Sequence, residues 1–141
     1  MARVVLDTNI LLCVINREEP LYQPSKILLD GIDGGGAAGI VSTITIAELS
    51  VGYHMAGDIR GKNQFLMHLT SSPHYEVHPV DASIADLAGM IRAETGLRLP
   101  DALIMATGVR ANADLVATYD EELRKAEEHI TVKTPTEIHN L

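Results

Sequence analysis

Four acids in this chain stand beside or within apolar segments, where a carboxylate could do chemistry. They are Asp7 in VVLDTNILL, Glu48 in ITIAELSVGYHM, Asp101 in LRLPDALIMATGV and Asp120 in LVATYDEEL. Each has an ordinary structural role open to it. Asp7, with Thr8 and Asn9 after it, suits the cap of a helix. Asp101 would sit in a first helical turn, where the helix dipole favours an acid by about 0.3–1 kcal/mol. Asp120 is an unexceptional cap, and Glu121 and Glu122 beside it look solvated. Glu48 shares a helical stripe with Ile44, Val51, Gly52 and Met55, but the opposite stripe of Ile46, Leu49 and Tyr53 is apolar too. Periodicity therefore leaves open which face of that helix is buried.

Taken together the acids say more. If the fold gathers them, two carboxylates about 4 Å apart repel by about 4 kcal/mol at an effective dielectric of about 20. Protonation or a divalent cation relieves that repulsion. Hard oxygen donors suit Mg²⁺ or Mn²⁺, which keep several waters and accept phosphate oxygens. The histidines do not compete for this role, because His54, His68, His74, His78, His129 and His139 show no zinc-like pairing with Cys or with each other.

The elements that must position these residues follow from the pattern of apolar runs. Residues 3–6 read as a short buried strand, 9–16 as a helix, and 23–31 as a second helix after the break at Pro20 and Pro24. The stretch DGIDGGGAAG, residues 30–39, lacks the Gly-Lys-Ser/Thr of a phosphate loop and reads as a flexible loop ending a helix. Further along, 39–43 suits a strand, 44–56 and 58–71 helices, and 75–80 a strand. Asp81 or Ser83 would cap a helix running to Thr95, with Gly96 as its stop. Pro100 suits the first turn of a helix to about Ala111, apolar nearly all round and hence a core helix. Residues 115–118 read as a strand, 120–128 as a polar helix and 130–134 as a last strand.

Strands alternating with helices imply an α/β fold with a parallel sheet covered on both faces. In such sheets ligands bind beyond the carboxyl ends of the strands, and Asp7 and Asp120 both fall just past strand ends. Thr118 precedes Asp120 by two residues and faces the same way along a strand.

Composition bounds the possibilities. A chain of 141 residues suits a single domain over 1–141 with a real core. The net charge of −8, from 19 acids against 11 Lys and Arg, argues against broad charge-driven nucleic-acid binding and favours a cation or a basic partner. Few aromatics leave no stacking platform of the kind general single-strand binders use. The longest apolar run, Ile10 to Ile15, is too short to span a bilayer and no basic leader precedes it, so no membrane association and a cytoplasmic chain are expected. The one cysteine, Cys13, lies within that run and reads as a core residue. Asp114 precedes a strand and reads as a structural turn acid, and Arg98 and Arg110 as solvated surface with phosphate steering as the alternative.

In combination, VVLDTNILL, STITIAELSVG and LPDALIMATGVRANADLVATYDEEL resemble the PIN domain, specifically the VapC-like ribonuclease toxins, over Val4 to Glu137. The resemblance implies a PIN-like three-layer sandwich with a central, mostly parallel sheet of four to five strands. It implies an acidic pocket holding one or two Mg²⁺ or Mn²⁺ ions that hydrolyses RNA phosphodiesters, leaving a 5′ phosphate and a 3′ hydroxyl. The family's acids fall on Asp7, Glu48, Asp101 and Asp120 as catalytic and metal-binding residues, with Thr8, Asn9 and Thr118 in support. Asp7 and Asp101 would be the main ligands, and Asp120 matches the family's most variable acid. Leu123 departs from the family, where this block often carries an aromatic. The resemblance further implies a homodimer and a cognate VapB-like antitoxin that places an Arg or Lys in the pocket.

Two other classes fit parts of the pattern. A haloacid-dehalogenase-type phosphotransferase also opens with an Asp after a strand, but needs a second Asp two positions on, where this chain has Asn9. A non-catalytic PIN-like binding module would keep the fold without the chemistry, and the presence of all four acids speaks against it.

Overall fold

Val4, Val5 and Leu6 are wholly buried, which demands cover on both faces of the strand they form. In the computed structural model, which describes residues 1–139, the elements run β1 (Ala2–Leu6), α1 (Thr8–Ile15), α2 (Tyr22–Asp33), β2 (Ala37–Ser42), α3 (Thr43–Met55), α4 (Ile59–Ser71), β3 (Tyr75–His78), α5 (Ala82–Thr95), α6 (Leu99–Arg110), β4 (Leu115–Ala117) and β5 (Thr131–Lys133). Short 3₁₀ turns at Glu121–Ala126 and Pro135–Glu137 complete the chain.

The five strands form one parallel sheet in the order β3-β2-β1-β4-β5. Successive side chains of β1 go to opposite faces. Val5 joins Ile84, Ile91, Ile104 and Met105 of α5 and α6 in one core. Val4 and Leu6 join Ile10, Leu11, Leu28 and Ile32 of α1 and α2 in the other. The α/β three-layer architecture expected from the sequence is the one observed.

After β1 the chain builds outward through β2 and β3, then crosses to the other side of β1 for β4 and β5. The reversal leaves a crevice between the carboxyl ends of β1 and β4. Backbone bonds extend the pairing past the strands: the Asp7 N–H donates to the Ala117 carbonyl at 3.0 Å, and the Thr118 N–H to the Lys133 carbonyl at 3.0 Å. The DTN and ATYD segments are thereby fixed side by side.

Most helix ends fall where their chemistry puts them. Asp81 caps α5 by accepting the Ile84 N–H at 2.9 Å, and Gly96 ends it with φ of +74°, a left-handed value that glycine adopts without strain. Pro100 lies in the first turn of α6, whose Ala102, Ile104, Met105, Ala106, Thr107 and Gly108 are all buried.

Two expectations are corrected. The glycine-rich stretch 30–39 is not a flexible loop: α2 continues to Asp33 and β2 begins at Ala37, leaving only a tight turn. Its small residues serve packing, since a Cβ on Gly39 would lie 2.9 Å from Tyr75 Cδ1 and 3.3 Å from Ile32 Cγ2. Gly39→Ala must displace the Tyr75 ring, and a loss of about 1–3 kcal/mol in urea-unfolding stability is expected.

The second correction is that 120–128 does not form a polar α-helix but a 3₁₀ turn over Glu121–Ala126. Tertiary bonds decide it: Arg124 reaches Glu121, Glu137 and the Val132 carbonyl at 2.7, 2.7 and 2.9 Å, tying the turn to β5 and the final 3₁₀ turn. Among the described residues, no helix is long and apolar enough to cross a membrane.

Candidate active site

Asp7 leaves β1 with extended backbone and caps α1, its Oδ1 accepting the Thr8 N–H at 2.8 Å. The cap reading is therefore correct as far as it goes. The other oxygen does something a cap does not need: Oδ2 accepts the Thr118 hydroxyl at 2.7 Å and Asn9 Nδ2 at 3.1 Å. Thr118 in turn accepts from Asn9 Nδ2 at 3.1 Å and from the Asp120 N–H at 3.0 Å, while Asn9 Oδ1 accepts the Tyr119 N–H at 3.3 Å. These bonds lock the orientation of the Asp7 carboxylate and leave Oδ1 with room for a further partner.

Three donors would ordinarily hold a carboxyl low. Burial outweighs them and pushes Asp7 up to about 6, with the charges of Asp101 and Glu48 adding to the rise against the hydrogen bonds of Thr118 and the Thr8 N–H. An acid raised by its burial, with neighbouring acids adding to the rise, at the reversal point of a parallel sheet, has the signature of a functional site.

Glu48 arrives from α3. The face left open by periodicity is settled here: Thr45 and Leu49 are buried and Glu48 is exposed, yet its Oε1 accepts the Thr8 hydroxyl at 2.8 Å. Thr8 thus bridges the first two acids. Thr45 lies 3.0 Å from the same hydroxyl and is wholly buried, a supporting residue that sequence reading missed. Its signal was its position three residues before Glu48, on the same helical face.

Asp101 stands in the first turn of α6 and is only 7% exposed. Its Oδ2 accepts Arg98 Nε at 3.2 Å. The Arg98 guanidinium is held above its ordinary value, first by the hydrogen bond and charge of Asp101, with smaller contributions from Asp120 and Glu48. Of the two arginines weighed for phosphate steering, α6 thus places Arg98 at the site and carries Arg110 away to its opposite end.

Asp120 meets the knot through its backbone N–H, while its Oδ1 accepts the Glu122 N–H at 3.0 Å and caps the 3₁₀ turn. Asp114 lies outside the site: its Oδ2 accepts the Arg3 N–H at 2.8 Å, as expected of a turn acid. Cys13 is buried in the core.

The donor set fits a hard divalent cation, with carboxylates from the end of β1, from α3 and α6, and from the turn after β4. No three of these acids bring ligand atoms within 4.8 Å of one another. Among the described residues, three potential ligand atoms lie within 4.8 Å of one another at Glu94, Glu128 and His129, near the amino end of β5. There His129 Nε2 lies 3.0 Å from Glu94 and 3.6 Å from Glu128, a contact of one ring with two exposed acids. In the pocket, the Thr118 knot holds Asp7 and the Arg98 pair holds Asp101.

Comparison with known proteins adds the family. No curated protein matches the chain by sequence. Among solved structures, a chain of a toxin–antitoxin complex from Klebsiella pneumoniae aligns at TM-score 0.73 and 24% identity, covering 96% of this chain and 99% of that one. A chain of VapBC2 from Rickettsia felis bound to a promoter DNA fragment aligns at 0.71 and 20%, covering 94% and 98%. One of VapBC-1 from nontypeable Haemophilus influenzae aligns at 0.70 and 20%, covering 96% and 99%. At these identities the likeness is one of fold. The PIN domain family model matches residues 4–129, a span that includes Asp7, Glu48, Asp101 and Asp120 and leaves the phosphotransferase alternative without support. By that match and by the parallel sheet that carries the acids, the chain belongs to the PIN domain family.

Proposed function

We propose that the chain is a Mg²⁺- or Mn²⁺-dependent endoribonuclease and the toxin of a VapBC-type toxin–antitoxin pair. The observation that carries the reading is Asp7: a carboxylate fixed by three donors at the sheet's reversal point and pushed up first by burial, with the charges of Asp101 and Glu48 adding to the rise. Asp7 and Asp101 would be the principal metal ligands, and Glu48 and Asp120 further ligands or water positioners. A divalent ion held by these carboxylates would lower the pKa of a water to near neutral pH and offset charge developing on the phosphoryl oxygens.

The remaining work falls to the chain's own groups. Thr8 holds Glu48 Oε1 and so orients a carboxylate able to take a proton from the attacking water. Thr118 and Asn9 keep Asp7 Oδ2 aimed, so the ligand needs no reorganisation when it binds. Burial of Asp7 and Asp101 lowers the local dielectric and strengthens each of these interactions.

A VapB-like antitoxin as partner is supported by the likeness to chains of toxin–antitoxin complexes. An acidic pocket is a natural seat for a partner's Arg or Lys, and the −8 net charge suits a basic segment. A homodimer is the accompanying proposal.

The purified chain is expected to cleave RNA with Mg²⁺ and to stop on chelation, leaving a 5′ phosphate and a 3′ hydroxyl. Co-expression with a candidate antitoxin encoded next to it should give co-elution and lost cleavage. Absence of any Mg²⁺-dependent cleavage by the isolated chain would leave the non-catalytic binding module as the better reading.

A further inference from the structure

Arg98 differs from the other engaged arginines. Arg3, Arg92 and Arg124 each commit terminal nitrogens to protein acceptors: Arg3 to Glu76 and the Ala111 carbonyl, Arg92 to the Leu97 carbonyl, and Arg124 to Glu127, Glu137 and the Val132 carbonyl. Arg98 commits Nε alone, to Asp101 Oδ2 at 3.2 Å. Among the described residues, neither of its Nη groups has a protein acceptor. Its side chain is 75% exposed, while that of the Asp101 it touches is 11% exposed.

The base of the side chain is nonetheless anchored. Arg98 is the N-cap of α6 in extended backbone, followed within the first turn by Pro100, so its stem leaves the protein from a fixed point at the rim of the pocket. The bond through Nε further fixes the plane of the guanidinium. What remains free is the Nη1/Nη2 edge, whose two parallel N–H groups match two oxygens of one phosphate.

The charge balance gives this edge its use. A polyanion approaching a −8 chain and its acids is repelled, and any phosphate contact there beyond that of the ion itself falls to a side-chain cation beside the acids. Arg98 is the arginine paired with a pocket acid. We propose that Arg98 grips a backbone phosphate of the bound RNA through its Nη1/Nη2 edge while Nε stays on Asp101, making it a substrate-binding residue that sets the strand's position over the carboxylates. The inference rests on the ribonuclease reading and adds to it the group that holds the strand.

The test compares wild type, Arg98→Ala and Arg98→Lys on a short single-stranded RNA with Mg²⁺, over about 50 to 250 mM NaCl, together with Mn²⁺ binding to each protein. Loss of one phosphate contact should raise KM about tenfold with kcat nearly unchanged. It should also flatten the slope of log kcat/KM against log salt by about 0.7. Arg98→Lys should restore the slope, because the charge returns, but only part of the KM, because the fork does not.

Melting temperatures close to wild type would accompany these changes, since the side chain is largely solvated. Unchanged KM and slope in Arg98→Ala overturn the proposal while the nuclease reading stands. The same holds if Arg98→Ala only tightens Mn²⁺ binding, for Arg98 would then be a counter-ion to Asp101. No cleavage by any of the three proteins overturns both.

Discussion

Asp7→Asn and Asp101→Asn are each expected to reduce Mg²⁺-dependent RNA hydrolysis on the order of 10³-fold without unfolding the protein. Asn preserves the shape of the Asp7 side chain and removes the charge a metal needs. The change is not neutral to its surroundings: with one amide oxygen kept toward the Thr8 N–H, the amide NH₂ faces Asn9 Nδ2 and the Thr118 hydroxyl. Asp101→Asn removes the acid partner of Arg98 as well as a ligand, so it should also loosen that side chain.

The other acids should follow in order. Glu48→Gln keeps an oxygen for the Thr8 hydroxyl, and a loss of about 10- to 100-fold is expected. Asp120→Asn keeps an oxygen for the Glu122 N–H and should cost least. Asp114→Asn, whose carboxylate accepts only the Arg3 N–H among the described residues, serves as a control with activity near wild type. Cleavage at the wild-type rate by both Asp7→Asn and Asp101→Asn would end the reading of this pocket as the catalytic centre.

The second large effect concerns stability without metal. Asp7 titrates near its ordinary value of 3.8 when unfolded and at about 6 when folded. Between those values the folded state holds the proton more tightly, so stability falls as pH rises and the loss is complete above about 6. Below about 4 the carboxyl is neutral in both states and contributes no penalty. The shift corresponds to about 3 kcal/mol.

In chelator, the metal-free protein should therefore lose thermal stability from pH 4.5 to 6.5, and Asp7→Asn should lose much less. The difference between the two proteins reports Asp7, because the histidines are common to both and cancel. The donor mismatch at the amide is independent of pH and does not distort that difference. At pH 7.5, Mn²⁺ at a hundred times its dissociation constant should return about 2.7 kcal/mol to the wild type and almost nothing to Asp7→Asn. Identical pH profiles for the two proteins would show that the burial of Asp7 has no such cost.

How much of this is legible in the residues themselves depends on whether the deciding contacts are local. The strand at 3–6 and its Asp7, and the helix opened by Pro100 with Asp101, follow from short-range rules of burial, capping and proline placement, and they stand as expected. Glu48 does not yield to such rules, because α3 is apolar on two stripes and its orientation is set by Thr8, forty residues earlier. The turn at 120–128 reads as a helix until Arg124 is drawn away to Val132 and Glu137. Gly39 looks like loop until the ring of Tyr75 is placed against it. Arg98 looks like surface, and by exposure it is; only the fold puts that surface beside the acids.

The pairing of β1 with β4 has a consequence for synthesis. The Asp7 carboxylate is held by a hydroxyl that lies 111 positions later in the chain, just past β4, the strand that docks directly on β1. Contacts so distant in sequence form late and slowly. A nascent polypeptide that has emerged only as far as α6 holds Asp7, Glu48 and Asp101 but lacks the Thr118 clamp, so its Asp7 carboxylate is not yet held in place. The site is complete only when the last quarter of the chain folds home.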